Sequence, residues 1–127
     1  MNLKGIRAWL KFRGRRLGFV AFFFQRFSGL FLLGYLYLHL YDLRLLVVGP
    51  SAYEAFLGVT TSIAFLPLYV ILFGVAIYHG ANGLRVMLNE FGYGVGRSRQ
   101  LFWVFAVGAM VLWIIASYVI ASLLFSL

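Results

Sequence analysis

The sequence predicts an all-α integral membrane protein with three transmembrane helices. The chain has 127 residues, of which 64% are hydrophobic and only 11% are charged, and its mean hydropathy is +0.96. A soluble domain of this size cannot bury so much apolar surface in one core, so the lipid bilayer must be its solvent. Three apolar segments each reach the roughly 20 residues that a spanning helix requires. Because no internal repeat or second domain is visible, residues 1–127 are expected to form one transmembrane domain.

The three predicted helices cover about residues 17–41, 62–88 and 101–125. The connection between the first two contains Gly49-Pro50-Ser51, which predicts a loop, with or without a short helix. The connection between the second and third, residues 92–99, is rich in glycine and basic.

The distribution of arginine and lysine predicts the orientation in the membrane. Six basic residues fall in segment 1–16, before the first helix, whereas the first connection carries only Arg44. Arg85, Arg97 and Arg99 flank the second connection. The positive-inside rule places the N-terminus and the second connection in the cytoplasm and the C-terminus outside, as for a multi-pass protein of the cell inner (cytoplasmic) membrane. The net charge of +8 is attributed to this orientation and to anionic membrane surfaces, with no nucleic acid as partner.

Two roles for the basic segment 1–16 remain open. Trp9 and Phe12 alternate with its charges, as in an interfacial or protein-docking segment. The alternative is that the charges serve only to orient the chain. Because cysteine is absent, disulfides, cysteine-ligated iron–sulfur clusters and c-type haem attachment are excluded.

Polar residues form a stripe on the first helix. At 100° per residue, five of them fall near one face: Gln25, Ser28, Tyr35, His39 and Asp42. Such a stripe is costly against lipid, so it is expected to face other helices. Arg26 lies beside it, about one turn into the membrane. Arg26 either extends to the headgroups or holds an anionic or carbonyl-bearing ligand with its planar set of donors.

The second helix carries a pattern typical of a haem site. His79, Asn82, Gly83 and Glu90 share a face, and Ala76 and Gly80 form a small-residue pair beside it. Imidazole can ligate haem iron, glycines admit the porphyrin plane, and Arg85 can pair with propionates. The alternative is a histidine that only makes a hydrogen bond between helices.

The third helix is predicted to be a packing scaffold without chemistry. Its polar side chains are expected to make ordinary contacts with the other helices: Ser117, Tyr118 and Ser122. No residue of the third helix is therefore a candidate site residue.

Two motifs resemble those of a known family. Gln25-Arg26-Phe27-Ser28-Gly29 is similar to the His-Arg-x-Ser/Thr-Gly signature of the cytochrome b membrane anchor (C subunit) of succinate dehydrogenase. Tyr78-His79-x-x-Asn82-Gly83-Leu84-Arg85 is similar to that family's Tyr-His-x-x-x-Gly-Ile-Arg-His segment. Glu90-Phe91-Gly92 follows where the family has an acidic residue, an aromatic residue or leucine, and glycine. The resemblance covers about the whole chain.

This resemblance implies a role in electron transfer. Such anchors bind a flavoprotein subunit and an iron–sulfur subunit on the cytoplasmic side, usually bundled with a second small membrane anchor. Electrons pass from succinate through flavin and iron–sulfur clusters to quinone near the membrane surface. The chain is therefore expected to bind haem b and to contribute to a quinone site within the lipid bilayer.

Site residues follow from the matched positions. His79 matches the haem ligand, Gly83 lies in the same motif, and Arg85 matches an arginine near the haem propionates and quinone. The first helix contributes the quinone-side residues: Gln25, Arg26 and Ser28.

Three positions depart from the family pattern. Val86 replaces a histidine, which removes one propionate contact, and Gln25 replaces another histidine. Phe22 stands where a quinone-site serine often lies, four residues before Arg26, so that hydrogen bond is missing.

His39 is a second candidate iron ligand. It lies 13 residues from Arg26, about 20 Å, whereas His79 lies six residues from Arg85, about 9 Å. If the two arginines are level, the histidines differ in depth by roughly 10 Å and cannot share one iron. We therefore expect two haems, each completed by a histidine of the partner anchor. The alternative is one haem, with His39 structural.

Other functions remain open at this point. A haem-free membrane scaffold or assembly subunit would have the same topology. The chain carries no dicarboxylate site, so its sequence is compatible with succinate oxidation and with fumarate reduction, and with ubiquinone or menaquinone.

Overall fold

The structure is a computed structural model that describes residues 17–126, and within that range it contains helices and turns but no strand. Two 3₁₀-helical turns, Ile63–Phe65 and Val95–Arg97, precede the second and third long helices. The α-helices are α1 (Leu17–Leu43), α2 (Leu45–Val48), α3 (Pro50–Thr60), α4 (Leu66–Glu90) and α5 (Ser98–Ser126).

Three spans are long and apolar enough to cross a membrane: Leu17–Val48, Ile63–Glu90 and Ser98–Ser126. The predicted class, an all-α integral membrane protein, is therefore confirmed. The burial pattern agrees, because large apolar side chains are exposed along all three spans. Of the five residues buried in the described part of the chain, three are polar: Ser28, Asn82 and Arg85. Polar side chains are thus among the most buried, while large apolar side chains face outward, as expected where lipid is the solvent.

The helix ends differ from their predicted positions by a few residues. Hydropathy marks where apolar character stops, but α4 and α5 continue into polar turns at Asn89-Glu90 and Ser98-Arg99-Gln100. The first connection contains a full helix, α3, whose first residue, Pro50, follows Gly49 at φ 142°. Proline at this position loses no helical hydrogen bond, which favours a helix start. The basic segment 1–16 lies outside the described residues.

Helix α4 lies between α1 and α5 and packs against both. On the α5 side, Trp113 Nε1 donates a 2.8 Å hydrogen bond to the carbonyl oxygen of Val70. The indole lies over Gly74, where an added Cβ would come within 2.8 Å of Nε1. Gly74 therefore sets how closely α5 approaches α4.

The polar contacts predicted for α5 are wrong in two cases. Ser117 Oγ donates to the carbonyl oxygen of Trp113, and Ser122 Oγ donates to that of Val119, so both bonds are internal to α5. Serine in a membrane helix commonly bonds the carbonyl three or four residues earlier, because no water competes for it. Tyr118 is 75% exposed. Trp113, which was not singled out, makes the polar contact with α4 instead.

Gly74→Ala is expected to destabilise the α4–α5 pair by about 1–3 kcal/mol, because its Cβ would collide with the indole of Trp113. The midpoint of thermal unfolding in detergent measures this effect. Gly108→Ala is the matched control, since a Cβ there has no atom within 4 Å. Equal midpoints for the two variants would show that Trp113 moves aside freely.

Candidate cofactor site

A continuous set of hydrogen bonds joins α1 to α4, and we call it the Arg85–Ser28 network. Arg85 Nε donates to Asn82 Oδ1 at 3.1 Å, and Asn82 Nδ2 donates to Gln25 Oε1 at 2.9 Å. Gln25 Nε2 donates to the backbone oxygen of His79 at 3.1 Å and lies 3.5 Å from His79 Nε2. His79 Nδ1 lies 3.0 Å from Ser28 Oγ, which in turn donates to the carbonyl oxygen of Gln25 at 3.0 Å. The network thus connects five side chains across the helix pair.

Arg85 sets the orientation of the two side-chain amides in this network. A guanidinium has only donors, so the oxygen of Asn82 must face it. The amide nitrogen of Asn82 then faces Gln25, whose own oxygen must accept. Gln25 consequently turns its amide nitrogen, a donor, toward His79.

The same pattern assigns the tautomer of His79. Ser28 has one hydroxyl proton, which it gives to the carbonyl oxygen of Gln25, so its oxygen accepts from His79 Nδ1–H. His79 Nε2 faces the amide donor of Gln25 and is therefore the unprotonated nitrogen. Assigned from the hydrogen-bond pattern, neutral His79 holds its proton on Nδ1 and keeps a lone pair on Nε2.

Three glycines shape the surroundings of His79. A Cβ on Gly29 would lie 3.0 Å from His79 Cε1, so this glycine lets the ring pack directly on the α1 backbone. A Cβ on Gly83 would lie 3.3 Å from Gln25 Nε2, so Gly83 makes room for the amide. At Gly80, by contrast, an added Cβ meets no atom within 4 Å, so α4 has open space beside the histidine.

The structure brings together most of the predicted site residues, namely Gln25, Ser28, His79, Gly83 and Arg85, and separates Arg26 from them. Arg26 is exposed and its guanidinium carbon lies 4.7 Å from the centre of the Phe22 ring. One residue along a helix turns a side chain by about 100°, so Arg26 points away from the face that Gln25 presents to α4.

His39 also lies apart from this site. It is exposed and stacks on Tyr35, with ring centres 5.7 Å apart and an interplanar angle of 15°. His79 lies beside Ser28, so His39, 11 residues further along α1, is displaced by about 16 Å. The two histidines are not level, as expected, and their separation is larger than the predicted 10 Å.

The larger separation arises because the two arginines are not level. The contacts pair Ser28 with His79 and Gln25 with Asn82, so in this antiparallel register Arg85 lies level with residue 22. Arg26 is therefore about 6 Å, roughly one turn, deeper than Arg85.

Two residues contribute more to the site than the sequence indicates. Asn82 was placed on the polar stripe of α4 but not among the site residues, although it joins Arg85 to Gln25. Tyr78 donates from its hydroxyl to the carbonyl oxygen of Ala21 at 3.0 Å and so anchors the same helix pair. The signal for Asn82 was its position, three residues from both His79 and Arg85 on one helix.

Arg85 also reaches a separate space between α4 and α5. An apolar cavity of about 380 Å³ lies there, with Arg85 and Phe102 at one end and Gly74 and Trp113 at the other. The Arg85 guanidinium carbon lies 5.5 Å from the centre of the Phe102 ring. His79 does not line this cavity, so the histidine and the guanidinium face different spaces.

The fold and the site define a three-span membrane subunit with a single oriented histidine between two antiparallel helices. Residues 7–121 match the family described as succinate dehydrogenase/fumarate reductase transmembrane subunit, and the chain belongs to that family. It is also similar to the succinate dehydrogenase hydrophobic membrane anchor subunit of Halobacterium salinarum (strain ATCC 700922 / JCM 11081 / NRC-1). The two are 30% identical over 96 residues, which cover 75% of this chain and 72% of the relative. The resemblance seen in the two sequence motifs is therefore confirmed.

Asn82→Leu is expected to lower the stability of the α1–α4 pair by about 1–3 kcal/mol, because Arg85 Nε and Gln25 Oε1 would lose their partner in a buried position. Thermal or detergent-induced unfolding measures the loss. Asn89→Leu is the matched control on the same helix, since Asn89 Oδ1 is buried without a hydrogen bond in the described part of the chain. A loss as large in Asn89→Leu as in Asn82→Leu would contradict a special role for the network.

Proposed function

We propose that this chain is the haem-binding membrane anchor of a succinate:quinone oxidoreductase. It holds a flavoprotein and an iron–sulfur subunit at the membrane and helps to pass electrons to quinone. The observation that carries the proposal is the orientation of His79, whose Nδ1–H is held by Ser28 while Nε2 keeps its lone pair. Membership in the family of succinate dehydrogenase and fumarate reductase transmembrane subunits supports the wider role.

The residues present fit haem b, with His79 as the residue that would bind its iron. An axial histidine binds iron through one nitrogen and usually donates the other N–H to an oxygen, which matches His79 with Ser28. The 3.5 Å contact of Nε2 with the Gln25 amide lies at the limit of a hydrogen bond, so the lone pair is not strongly engaged. The open face of α4 at Gly80 leaves room for a flat group there. Haem supplies a one-electron redox centre when bound.

A partner subunit would supply the other residue that holds the haem. The described residues contain no cluster of three or more His, Cys, Asp or Glu side chains that could hold a metal, and His39 lies about 16 Å away along α1. A histidine of a second small membrane anchor would complete the site. On this chain, Ser28 would fix the ring of His79 by accepting a hydrogen bond from Nδ1–H. Arg85 orients Asn82, and Asn82 orients Gln25, which faces His79 Nε2.

We place the N-terminus and the α4–α5 turn on the cytoplasmic side, where the two catalytic subunits would dock. The basic segment 1–16 supports this orientation, together with Arg97 in the turn and Arg99 at the start of α5. The C-terminus then lies outside, and the site of His79 lies in the cytoplasmic half of the bilayer.

For quinone, the residue that this geometry favours is Arg26. It is exposed on the surface of α1 and its guanidinium makes no hydrogen bond within the described part of the chain, so its donors are available. As a quinone gains electrons, negative charge grows on its carbonyl oxygens, and a nearby guanidinium stabilises that charge. Ser28 already donates to the carbonyl oxygen of Gln25, so it would have to break that bond to donate to quinone.

A haem-free scaffold is the alternative class, and fumarate reduction is the same couple run in reverse. In a scaffold, the Arg85–Ser28 network would serve only to hold α1 against α4. The optical spectrum of the assembled complex separates these cases, because only a haem-binding anchor gives a b-type absorption.

His79→Ala should remove one b-type absorption signal from the complex, because the axial nitrogen is lost. Haem is measured by difference spectroscopy relative to flavin or subunit content. Ser28→Ala is the companion variant: the ring keeps Nε2 but loses the acceptor for Nδ1–H, so haem affinity should fall about tenfold while the signal persists. An assembled His79→Ala complex with unchanged haem would contradict the ligand assignment.

Arg26→Leu should depress quinone reduction at least tenfold, since a single preorganised donor is worth about 10²–10³ in rate. Electron transfer from succinate to a soluble artificial acceptor should remain at the wild-type rate. Arg97→Leu controls for the loss of one positive charge elsewhere on the chain. Wild-type quinone kinetics in Arg26→Leu would mean that this arginine only contacts the headgroups.

The ratio of haem to flavin tests the proposal that His39 ligates a second haem nearer the outer face. Two haems per flavin are expected in the wild type, and one in His39→Leu. One haem per flavin in the wild type would make His39 a structural residue that packs on Tyr35.

A further inference from the structure

Arg85 is a buried cation that forms no ion pair within residues 17–126. Its side chain is 8% exposed, and within residues 17–126 it donates one hydrogen bond, from Nε to the neutral Asn82. Both Nη nitrogens are thus left without a protein partner in that range. A buried charge without an opposite charge is costly, so an anion from elsewhere is needed.

The acidic residues of the sequence cannot supply this anion. The whole chain contains three: Asp42, Glu54 and Glu90. Asp42 and the helix that carries Glu54 lie toward the other end of the bundle, about 30 Å from Arg85 along α1. Glu90 lies at the near end of α4, but it is exposed and forms no ion pair with Arg85 among the described residues. Segment 1–16 adds only positive charge.

The cavity beside Arg85 has the form of a site for a chain-like ligand. It follows α4 from Arg85 to Gly74, which is 11 residues or about 16 Å. Apart from Asn82 and Arg85, its walls are apolar or aromatic, and small residues widen it: Ala81, Ala106 and Ala109. Its volume of about 380 Å³ falls within the usual range for ligand sites. A ligand with an anionic head and a thin apolar tail is complementary to this shape and charge.

The position of Arg85 in the helix suits a headgroup. It lies five residues before the end of α4, about 8 Å, and therefore close to a membrane surface. Arg97 and Arg99 follow in the adjoining turn and at the start of α5, and they add positive charge at the same end of the bundle. Clustered arginines near a membrane surface attract the phosphate groups of lipids.

We propose that the α4–α5 cavity binds one membrane phospholipid, with its phosphate on the Nη nitrogens of Arg85 and one acyl chain along the cavity toward Trp113. The lipid neutralises the buried guanidinium and fills the space between the two helices. The cavity shares Asn82 and Arg85 with the Arg85–Ser28 network, but His79 itself does not line it. The lipid phosphate takes the place of the haem propionate that the motif implies as the partner of Arg85, and the variants below separate the two anions.

Native mass spectrometry of the complex with its partner subunits tests this site. The complex is purified in a mild detergent, depleted of lipid and titrated with dioleoylphosphatidylglycerol. Arg85→Gln should weaken binding of one lipid at least tenfold, as expected for loss of a charged hydrogen bond. Ala109→Phe should abolish the same binding event by filling the cavity without removing any charge. Arg44→Gln, at the other end of the bundle, and Leu112→Phe both change exposed positions and should bind as the wild type does.

Two further ligands identify what the site selects. Dioleoylglycerol has the same chains without phosphate and should bind at least tenfold more weakly. Glycerol phosphate has the anion without chains and should not displace the lipid at equal concentration. Displacement by glycerol phosphate would mean a simple anion site and would overturn the proposal.

Equal lipid binding by the wild type, Arg85→Gln and Ala109→Phe would also overturn it. So would an Arg85→Gln complex that keeps its lipid but loses haem or a partner subunit, because Arg85 would then serve a propionate or a protein carboxylate. His79→Ala should leave lipid binding unchanged, so failure of the haem proposal and failure of the lipid proposal are distinguishable.

Discussion

The contact between α1 and α4 depends on the hydrogen bonds of the Arg85–Ser28 network. In a bilayer, lipid tails are as apolar as leucine, so burial of apolar side chains does little to hold two helices together. Polar groups that cannot reach water must find each other instead. Here Arg85, which can only donate, orients the amide of Asn82. That amide orients the amide of Gln25, which faces His79. The same bonds fix the antiparallel register, which places Gln25 beside Asn82 and Ser28 beside His79.

The network also links helix packing to chemistry. A histidine that exchanged freely between its two tautomers would offer either nitrogen to a ligand. The hydrogen bonds of His79 instead favour the tautomer in which Nε2 is unprotonated. The orienting charge sits on Arg85, six residues along α4 from His79, whereas Gln25 and Ser28, which set the tautomer, contact the ring directly. The remaining donors of Arg85 face another space, between α4 and α5. One side chain can thus orient a histidine through Nε and receive an anion through its Nη nitrogens.

Much of this arrangement was predictable from the sequence. Hydropathy and length predict three spans, and the glycine-flanked His79 with Arg85 nearby indicates a site on the second helix. The level of Arg26 relative to Arg85 was not predictable, because it depends on a register that only pairwise contacts between α1 and α4 determine. The motif also does not show that Arg26 and Gln25 face different ways. Adjacent residues on a helix point about 100° apart. The polar contact between α5 and α4 was not predicted, because Trp113 counts as an apolar residue in a hydropathy pattern. Its indole N–H nevertheless donates to the carbonyl oxygen of Val70.

A high-resolution cryo-electron microscopy map of the complete complex tests the central claim most directly, since that claim concerns which nitrogen of His79 is free. The expected result is a haem iron next to His79 Nε2, with Ser28 Oγ within hydrogen-bond distance of Nδ1 on the opposite side of the ring. An iron on Nδ1, or a His79 ring turned away from Ser28 in a complex that holds haem elsewhere, would contradict it.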